Sequence, residues 1–256
     1  MRIRPDIEAF AAVHDSGKAQ VVWTTFVADL ETPVSVMLKL GAGQTDSILF
    51  ESVEGGAVRG RYSIIGIKPD LIWRCHGNHA EINRQALADR DSFEPCPGGA
   101  LDALRAVVGE SRIDLSDDLP PMAAGLVGYM SYDTVRLMEQ LPDDNPDVLG
   151  VPDGMFLRPT IMAIFDNVDD TVTLVTPVWP SSDLSADTAY DHAVKRLGNT
   201  VAELERSIPY EQARRSASSA LPEAVSNTSR EQYHAMVERA KEYIFAGDIF
   251  QVVPSQ

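Results

Sequence analysis

A carboxylate and a hydroxyl stand side by side at Glu51 and Ser52, and a phenol and a second hydroxyl at Tyr62 and Ser63. The first pair closes the apolar run Ile48-Leu49-Phe50, and the second opens the run Ile64-Ile65-Gly66. A carboxylate suits an ammonium group, while hydroxyls and backbone N–H groups suit a carboxylate, so these side chains at two strand ends could hold a small zwitterion. The same residues also fit a plain hairpin whose polar groups face water.

The elements that must position them follow from apolar spacing and from glycine and proline. Two β-branched runs flank Gly55-Gly56 and Gly60, which predicts two strands joined by a loop of about eight residues. Val21 to Phe26 reads as a strand, as do Leu71 to Cys75 and His79 to Ile82 around the turn Gly77-Asn78. Phe156 to Phe165 and Val172 to Val175 form a hairpin signal in which Pro159 demands an edge or a bulge. Asp169 and Asp170 between them are the residues of a turn before they are metal ligands. Met122 to Tyr132 predicts a buried strand in which Gly125 and Gly128 allow close backbone approach, and Leu141 to Gly154, rich in Pro and Asp, a loop.

Helices are expected from Pro5 to Gly17, from Thr32-Pro33 to Gly41, and over Leu101, Leu104, Val107 and Val108, whose side chains would face inward. Another helix spans 188 to 208. The small polar run 213 to 220 has no periodicity and reads as linker. Ser229 and Gln232 make a capping box for a helix with Tyr233, Met236, Val237, Ala240 and Ile244 on one side and Gly247 as its stop. Asp248 to Gln256 then reads as a strand apolar on both faces, which normally lies between neighbours. Strand runs interleaved with helices in this way suggest an antiparallel sheet with a face covered by helices.

Composition sets outer limits. A hydrophobic content of 44% in 256 residues is enough for a packed core. The net charge of -16 leaves no basic patch for nucleic acid or an anionic membrane surface. No window approaches the roughly 18 apolar residues of a membrane span, and Arg2 and Arg4 are not followed by the apolar segment of a secretion signal. A soluble cytoplasmic protein is therefore expected. Cys75 and Cys96 have neither the number nor the spacing of a disulfide framework or a zinc site, and the five His residues are scattered.

Two stretches carry a resemblance. Leu49-Phe50-Glu51-Ser52 with Arg61-Tyr62-Ser63-Ile64-Ile65-Gly66 resembles the N-terminal half of the anthranilate synthase component I proteins, which are chorismate-utilising enzymes. There a Leu-Leu-Glu-Ser motif helps form the L-tryptophan feedback site; Phe50 replaces the second Leu. The resemblance implies inhibitor contacts at Phe50, Glu51 and Ser52, and at Tyr62 and Ser63. The run Gly125 to Asp133 is similar to a stretch of that family's sheet core. Gly247 to Gln256 is similar to the segment that opens the family's catalytic half. In the related isochorismate and salicylate synthases the position matching Gln251 is a Lys that acts as a base toward water. Gln251 is a neutral amide without such a proton equilibrium and fits enzymes that add ammonia.

The resemblance implies an α+β fold of packed antiparallel β-sheets with surrounding helices. It divides the chain into a regulatory, tryptophan-binding region (1–212), a linker (213–228) and the start of a chorismate-binding catalytic domain (229–256). It implies an enzyme that converts chorismate and ammonia to anthranilate and pyruvate, with a glutamine amidotransferase subunit as partner, L-tryptophan as inhibitor and Mg2+ as cofactor. The resemblance covers only the first half of the family's length. The catalytic residues and magnesium ligands are expected in the other half, so this stretch alone should be inactive. Component I of aminodeoxychorismate synthase, in the folate branch, and a stand-alone amino-acid-binding or docking domain remain open at this point.

Overall fold

Pro69 and Pro159 lie opposite each other in the two longest strands, β3 (Val58–His76) and β7 (Gly154–Asp166), and the register between the strands shifts there. The computed structural model of the chain describes residues 1–41, 43–54, 58–144, 146–181, 183–208 and 223–256. Neither proline can donate to a ladder, and Lys68 beside them takes a left-handed φ of 53°. The runs expected as two separate strands, Arg61 to Gly66 and Leu71 to Cys75, are thereby one strand with an irregularity in its middle.

That irregularity divides the sheet into two halves threaded by the same pair of strands. In the first, β2 (Ile48–Glu54) pairs with Val58–Gly66 of β3, and β8 (Thr171–Val178) pairs with Met162–Asp166 of β7. In the second, β4 (His79–Asn83) takes the place of β2 against Ile72–His76, and β6 (Val127–Met130) takes the place of β8 against Gly154–Leu157. β1 (Gln20–Val27) extends the first half beyond β8, and β5 (Glu94–Pro95) extends the second beyond β4. All pairings are antiparallel, so the expected α+β architecture is present as one curled eight-stranded sheet with helices against it. Pro159 satisfies its sequence constraint at the point where β8 has stopped pairing with β7 and β6 has not yet begun.

Three helices cover one face of the first half. α1 (Ile7–His14) is capped by Asp6, which accepts from the Ala9 N–H at 2.9 Å. α2 (Pro33–Leu40) begins with a reciprocal capping box between Thr32 and Ser35, and α4 (Ala186–Leu204) with the Ser185 hydroxyl. Their buried stripes bring Phe10, Val36, Leu40 and Leu197 onto Val22, Ile65, Ile161 and Leu174. On the opposite face Ile64, Met162, Ile164 and Val175 meet Ala123 and Val127. In the second half α3 (Ala100–Glu110) lays Ala100, Ala103 and Val107 on Leu71, Trp73 and Cys75. Val108, expected inward, is exposed; the i, i+3, i+7 stripe of α3 runs through its neighbour Val107 instead.

Of the run expected as a buried strand, only Val127–Met130 is strand, and only Val127 is buried within it. Among the described residues β6 pairs with β7 alone, and Gly128, Tyr129 and Met130 are exposed. Its glycine is nevertheless required: a Cβ on Gly128 would sit 1.9 Å from the Met155 carbonyl oxygen.

Arg158 locks the region of the register shift. Its Nε and Nη2 donate to the two Asp70 oxygens at 2.7 and 3.0 Å, its Nη1 reaches Ser111 Oγ at 3.4 Å, and its guanidinium lies 4.2 Å over the Trp179 ring. One side chain of β7 thus ties β3, the end of α3 and the segment following β8.

The chain divides into two compact units, Met1–Pro209 and Tyr210–Gln256. The expected linker falls largely on residues 213–222, outside the described residues. In the second unit α5 (Arg230–Ala246) has the predicted Ser229 and Gln232 capping box and ends at Gly247 with φ 82°. The expected strand after it is absent: Asp248–Gln256 makes no ladder among the described residues. A strand needs another edge for its N–H and C=O groups, and α5, with its own groups satisfied, offers none.

Phe10, with no exposed surface, is the largest side chain that α1 contributes to the core. Replacing Phe10 with Ala is expected to lower unfolding free energy by about 3–5 kcal/mol, whereas Val108→Ala, on the outer face of α3, should change it by no more than about 0.5 kcal/mol. Urea denaturation followed by circular dichroism distinguishes the two.

Candidate functional site

β2 and β3 hold five of the six residues that the sequence singles out. Their register sets Glu51 opposite Ser63 and Phe50 opposite Ile64. Directly opposed residues of an antiparallel pair share a face, and alternate residues change face. Glu51 and Ser63 therefore lie on the face of Leu49 and Ile65, which the helices cover, and Phe50 and Tyr62 on the face of Ile48 and Ile64. The structure brings Glu51 and Ser63 together and separates them from Phe50 and Tyr62 by the thickness of the sheet.

Ser52 stands at a register shift between Glu51 and Val53. Gly60 is its neighbour across the bulge, where a Cβ would lie 2.1 Å from Ser52 Oγ and 2.7 Å from the Ser52 carbonyl carbon. Only a residue without a side chain leaves room there for Ser52. Glu51 and Ser52 are exposed and Ser63 is buried, and none of the three makes a side-chain hydrogen bond among the described residues. Phe50 keeps 46% of its surface exposed. Among the described residues β2 pairs on one side only, so a molecule lying along its other edge can reach side chains of both faces.

Tyr62 is fixed by its neighbour in the motif, Arg61, and through it by Asp166. The Arg61 guanidinium lies 5.0 Å from its ring centroid and donates to Asp166 through Nε at 3.0 and 3.1 Å and through Nη2 at 2.8 Å. The Arg61 hydrogen bond holds the Asp166 carboxyl below its ordinary pKa, against the opposing effect of burial, and the N–H groups of Val168 and Asp169 act in the same direction. Arg61 is correspondingly raised, chiefly by the same hydrogen bond. Asp166 ends β7, and Asp170, at φ 50°, completes the turn into β8. Gly60 and Arg61, expected only as a loop glycine and a motif residue, and Asp166 had no expected part in the site. The first two adjoin Tyr62 and were open to notice, while Asp166 lies 105 positions from Arg61 and only strand pairing joins them.

Gln251 belongs to the second unit, where it is exposed in the segment after α5. Beside that segment a groove of about 760 Å³ runs along the helix, walled by Met236, Ala240 and Tyr243 on one side and Ile249, Val252 and Pro254 on the other. The Tyr233 hydroxyl donates to the Pro254 carbonyl at 3.3 Å and holds the segment there. No three of His, Cys, Asp and Glu converge among the described residues as a metal ion would require. The described residues do not offer the ligand set that magnesium requires. No helix among the described residues is long and apolar enough to cross a membrane.

With this geometry in hand, comparison with known proteins is decisive for kinship. The family model described as chorismate binding enzyme matches residues 69–256. The chain belongs to that family. It is 50% identical over 249 residues to a Cereibacter sphaeroides protein named anthranilate synthase component 1, covering 97% of this chain and 50% of the relative. A protein of the same name from Mycolicibacterium smegmatis is 35% identical, covering 99% of this chain and 47% of the relative. The chain thus spans about half the length of the curated relatives it matches. A crystal structure of anthranilate synthase component I from Streptococcus pneumoniae TIGR4 superposes with a TM-score of 0.53 at 18% identity, over 87% of this chain and 46% of that one, and establishes the likeness of fold.

The Asp166 shift has a pH signature. A carboxyl held below its unfolded value adds stability that is complete above the ordinary carboxylate range and is lost as pH falls through the folded-state value. Unfolding free energy measured from pH 6 down to pH 2 should therefore fall less steeply in Asp166→Asn than in the parent chain; identical slopes would show that Arg61 does not hold this carboxylate in the folded state.

Proposed function

We propose that this chain is the N-terminal portion of a component I of anthranilate synthase. The observation that carries the reading is the 50% identity, over 97% of the chain, to the Cereibacter sphaeroides protein of that name. The complete enzyme, in this reading, is a cytoplasmic lyase that takes chorismate and ammonia and releases anthranilate and pyruvate at the entry to tryptophan synthesis. Ammonia comes from glutamine through an amidotransferase subunit, because free ammonia is scarce at neutral pH. Residues 1–212 are the regulatory region, 213–228 the linker and 229–256 the opening of the catalytic domain.

Gln251 stands near the reacting centre of the whole enzyme. Its amide can donate and accept hydrogen bonds but cannot take a proton near neutral pH. That suits a nucleophile such as ammonia, which arrives with its own lone pair and needs no base to generate it. The product is then the ortho-aminobenzoate. The names of the relatives favour this branch over the para-aminobenzoate of the folate branch.

L-tryptophan acts as feedback inhibitor along the open edge of β2. Glu51 takes its ammonium group, and Ser52 and Ser63 its carboxylate. Phe50 and Tyr62 offer apolar surface from the other face. The support for this is the lack of internal partners: Glu51, Ser52 and Ser63 spend no side-chain hydrogen bond among the described residues, which leaves all three for a ligand. Inhibition is a coupling free energy between this edge and the catalytic half.

Two measurements check the reading. The complete polypeptide with its amidotransferase, given chorismate and glutamine, should form fluorescent anthranilate, and residues 1–256 alone none; para-aminobenzoate as the product would sink the assignment. In the complete enzyme, Ser52→Phe should raise the tryptophan concentration for half-inhibition at least about tenfold, the loss of roughly 1.4 kcal/mol of binding; an unchanged inhibition curve would remove Ser52 from the site.

A further inference from the structure

A second cavity lies in the first unit, on the helix-covered face beside the register shift of β3 and β7. It encloses about 220 Å³, and its walls include His14 of α1, Asp70 of β3, Thr160 of β7, Trp179 after β8 and Arg196 of α4. None of these belongs to the stretches that resemble known motifs.

Three polar groups on this wall lack partners among the described residues. The indole Nε1 of Trp179 is buried and donates to nothing, and Nε2 of His14 is buried and unpaired. His14 Nδ1 lies 3.4 Å from an Asp15 oxygen, so its proton sits on that side and Nε2 presents a lone pair when the ring is neutral. Arg196 donates through Nε to Thr176 Oγ1 at 2.9 Å and through Nη2 to the Pro177 carbonyl at 3.2 Å, and its Nη1 has no partner. Both of those acceptors are neutral. Burial works against the Arg196 charge, and Asp70 offsets that in part. Asp70 gives both its oxygens to Arg158, which also stacks on Trp179 and fixes that indole in place.

A buried polar group without a partner is destabilising, and a partly buried guanidinium that donates only to neutral acceptors lacks a hydrogen-bonded counterion. With both Asp70 oxygens engaged by Arg158, the cavity holds an Arg196 charge that Asp70 offsets only in part, within a chain of net charge -16. The remaining wall is largely apolar, with Leu184 and Val178 among its residues. At 220 Å³ the space falls below the roughly 300–1,000 Å³ of a pocket for a drug-sized ligand, which excludes a nucleotide.

We propose that this cavity is a binding site for a small organic carboxylate with an apolar body, of the size of a single ring. The carboxylate pairs with Arg196 and accepts from the Trp179 indole N–H, the apolar body fills the space toward Leu184, and the His14 lone pair is free for a hydroxyl or amino substituent. The site is distinct from the edge of β2 and does not depend on the function proposed above.

The test uses the ¹⁵N-labelled chain, whose three tryptophans give three indole N–H signals in NMR. Sodium benzoate, titrated at constant ionic strength, should move the Trp179 signal saturably, and benzamide, the neutral analogue, should not. The signal of Trp73, buried against α3, reports that the fold is intact. Arg196→Gln should weaken benzoate binding at least tenfold, and Arg196→Lys, which keeps the positive charge, should weaken it less. Should the Arg196 variants lose the Trp73 signal, His14→Phe decides instead: it should leave benzoate binding intact and abolish any gain in affinity of 3-hydroxybenzoate over benzoate. No saturable shift with benzoate, an equal response to benzamide, or an Arg196→Gln variant that folds and binds as the parent does would each overturn the proposal.

Discussion

The fold depends on a constraint that two facing prolines impose. Neither Pro69 nor Pro159 can donate to a ladder, so β3 and β7 cannot stay in regular register where the two residues meet. What the strands lose there in backbone pairing, Arg158 and Asp70 replace with a bidentate ion pair from the same two strands. The consequence is architectural. One pair of strands serves two half-sheets, with β2 and β8 as neighbours on one side of the irregularity and β4 and β6 on the other. Each half then has its own helical cover, α1, α2 and α4 for the first and α3 for the second.

The candidate site inherits its form from that arrangement. β4 takes over from β2 along the same side of β3, which leaves β2 with a single partner strand among the described residues. Alternation along β2 then sends Glu51 and Phe50 to opposite faces, and the register with β3 gives Glu51 the company of Ser63. Gly60 makes the bulge at Ser52 sterically possible, and Arg61, anchored on Asp166, covers Tyr62. Polar groups without internal partners, flanked by side chains held fast, are the arrangement a recognition site needs, because a preorganised group loses less entropy when a ligand arrives.

Much of this was legible in the sequence. The capping signals at Thr32, Ser229 and Gln232, the turn at Gly77-Asn78 and the hairpin through Asp169-Asp170 are local chemistry, and the structure has them where the residues demand them. Pro159 announced a bulge or an edge and stands where β7 changes partners. Other features were not local. Nothing near Val108 says that Val107 rather than Val108 faces the sheet, and nothing in Val127–Met130 says that the strand lies at an edge with three of its four residues open to water. The groups around the second cavity come from positions 14, 70, 160, 179 and 196, so their convergence is a property of topology alone. The motif at 49–52 and 61–66 showed which residues to watch, but strand register decided which of them share a face.

The segment after α5 shows the same division between local and distant causes. Ile249, Phe250, Val252 and Val253 have the β-branched and aromatic character of a strand, yet Asp248–Gln256 has no ladder. Propensity favours an extended backbone, and the segment has bends at Asp248 and Phe250 and no regular structure after them. Making it a strand takes the hydrogen-bonding edge of another one, because extended N–H and C=O groups point sideways and cannot satisfy each other. Within its own unit the segment instead lies along α5 beside an apolar groove, with Phe250 93% exposed and the helix contributing no buried residue. Phe245 and Val253 likewise keep 90% and 76% of their surface exposed. The hydrophobic effect acting on that surface, at about 25 cal/mol per Å², favours any neighbouring element that offers both an apolar face and a free strand edge over continued exposure. The two requirements together are met by a sheet, and a lone helix meets only the first.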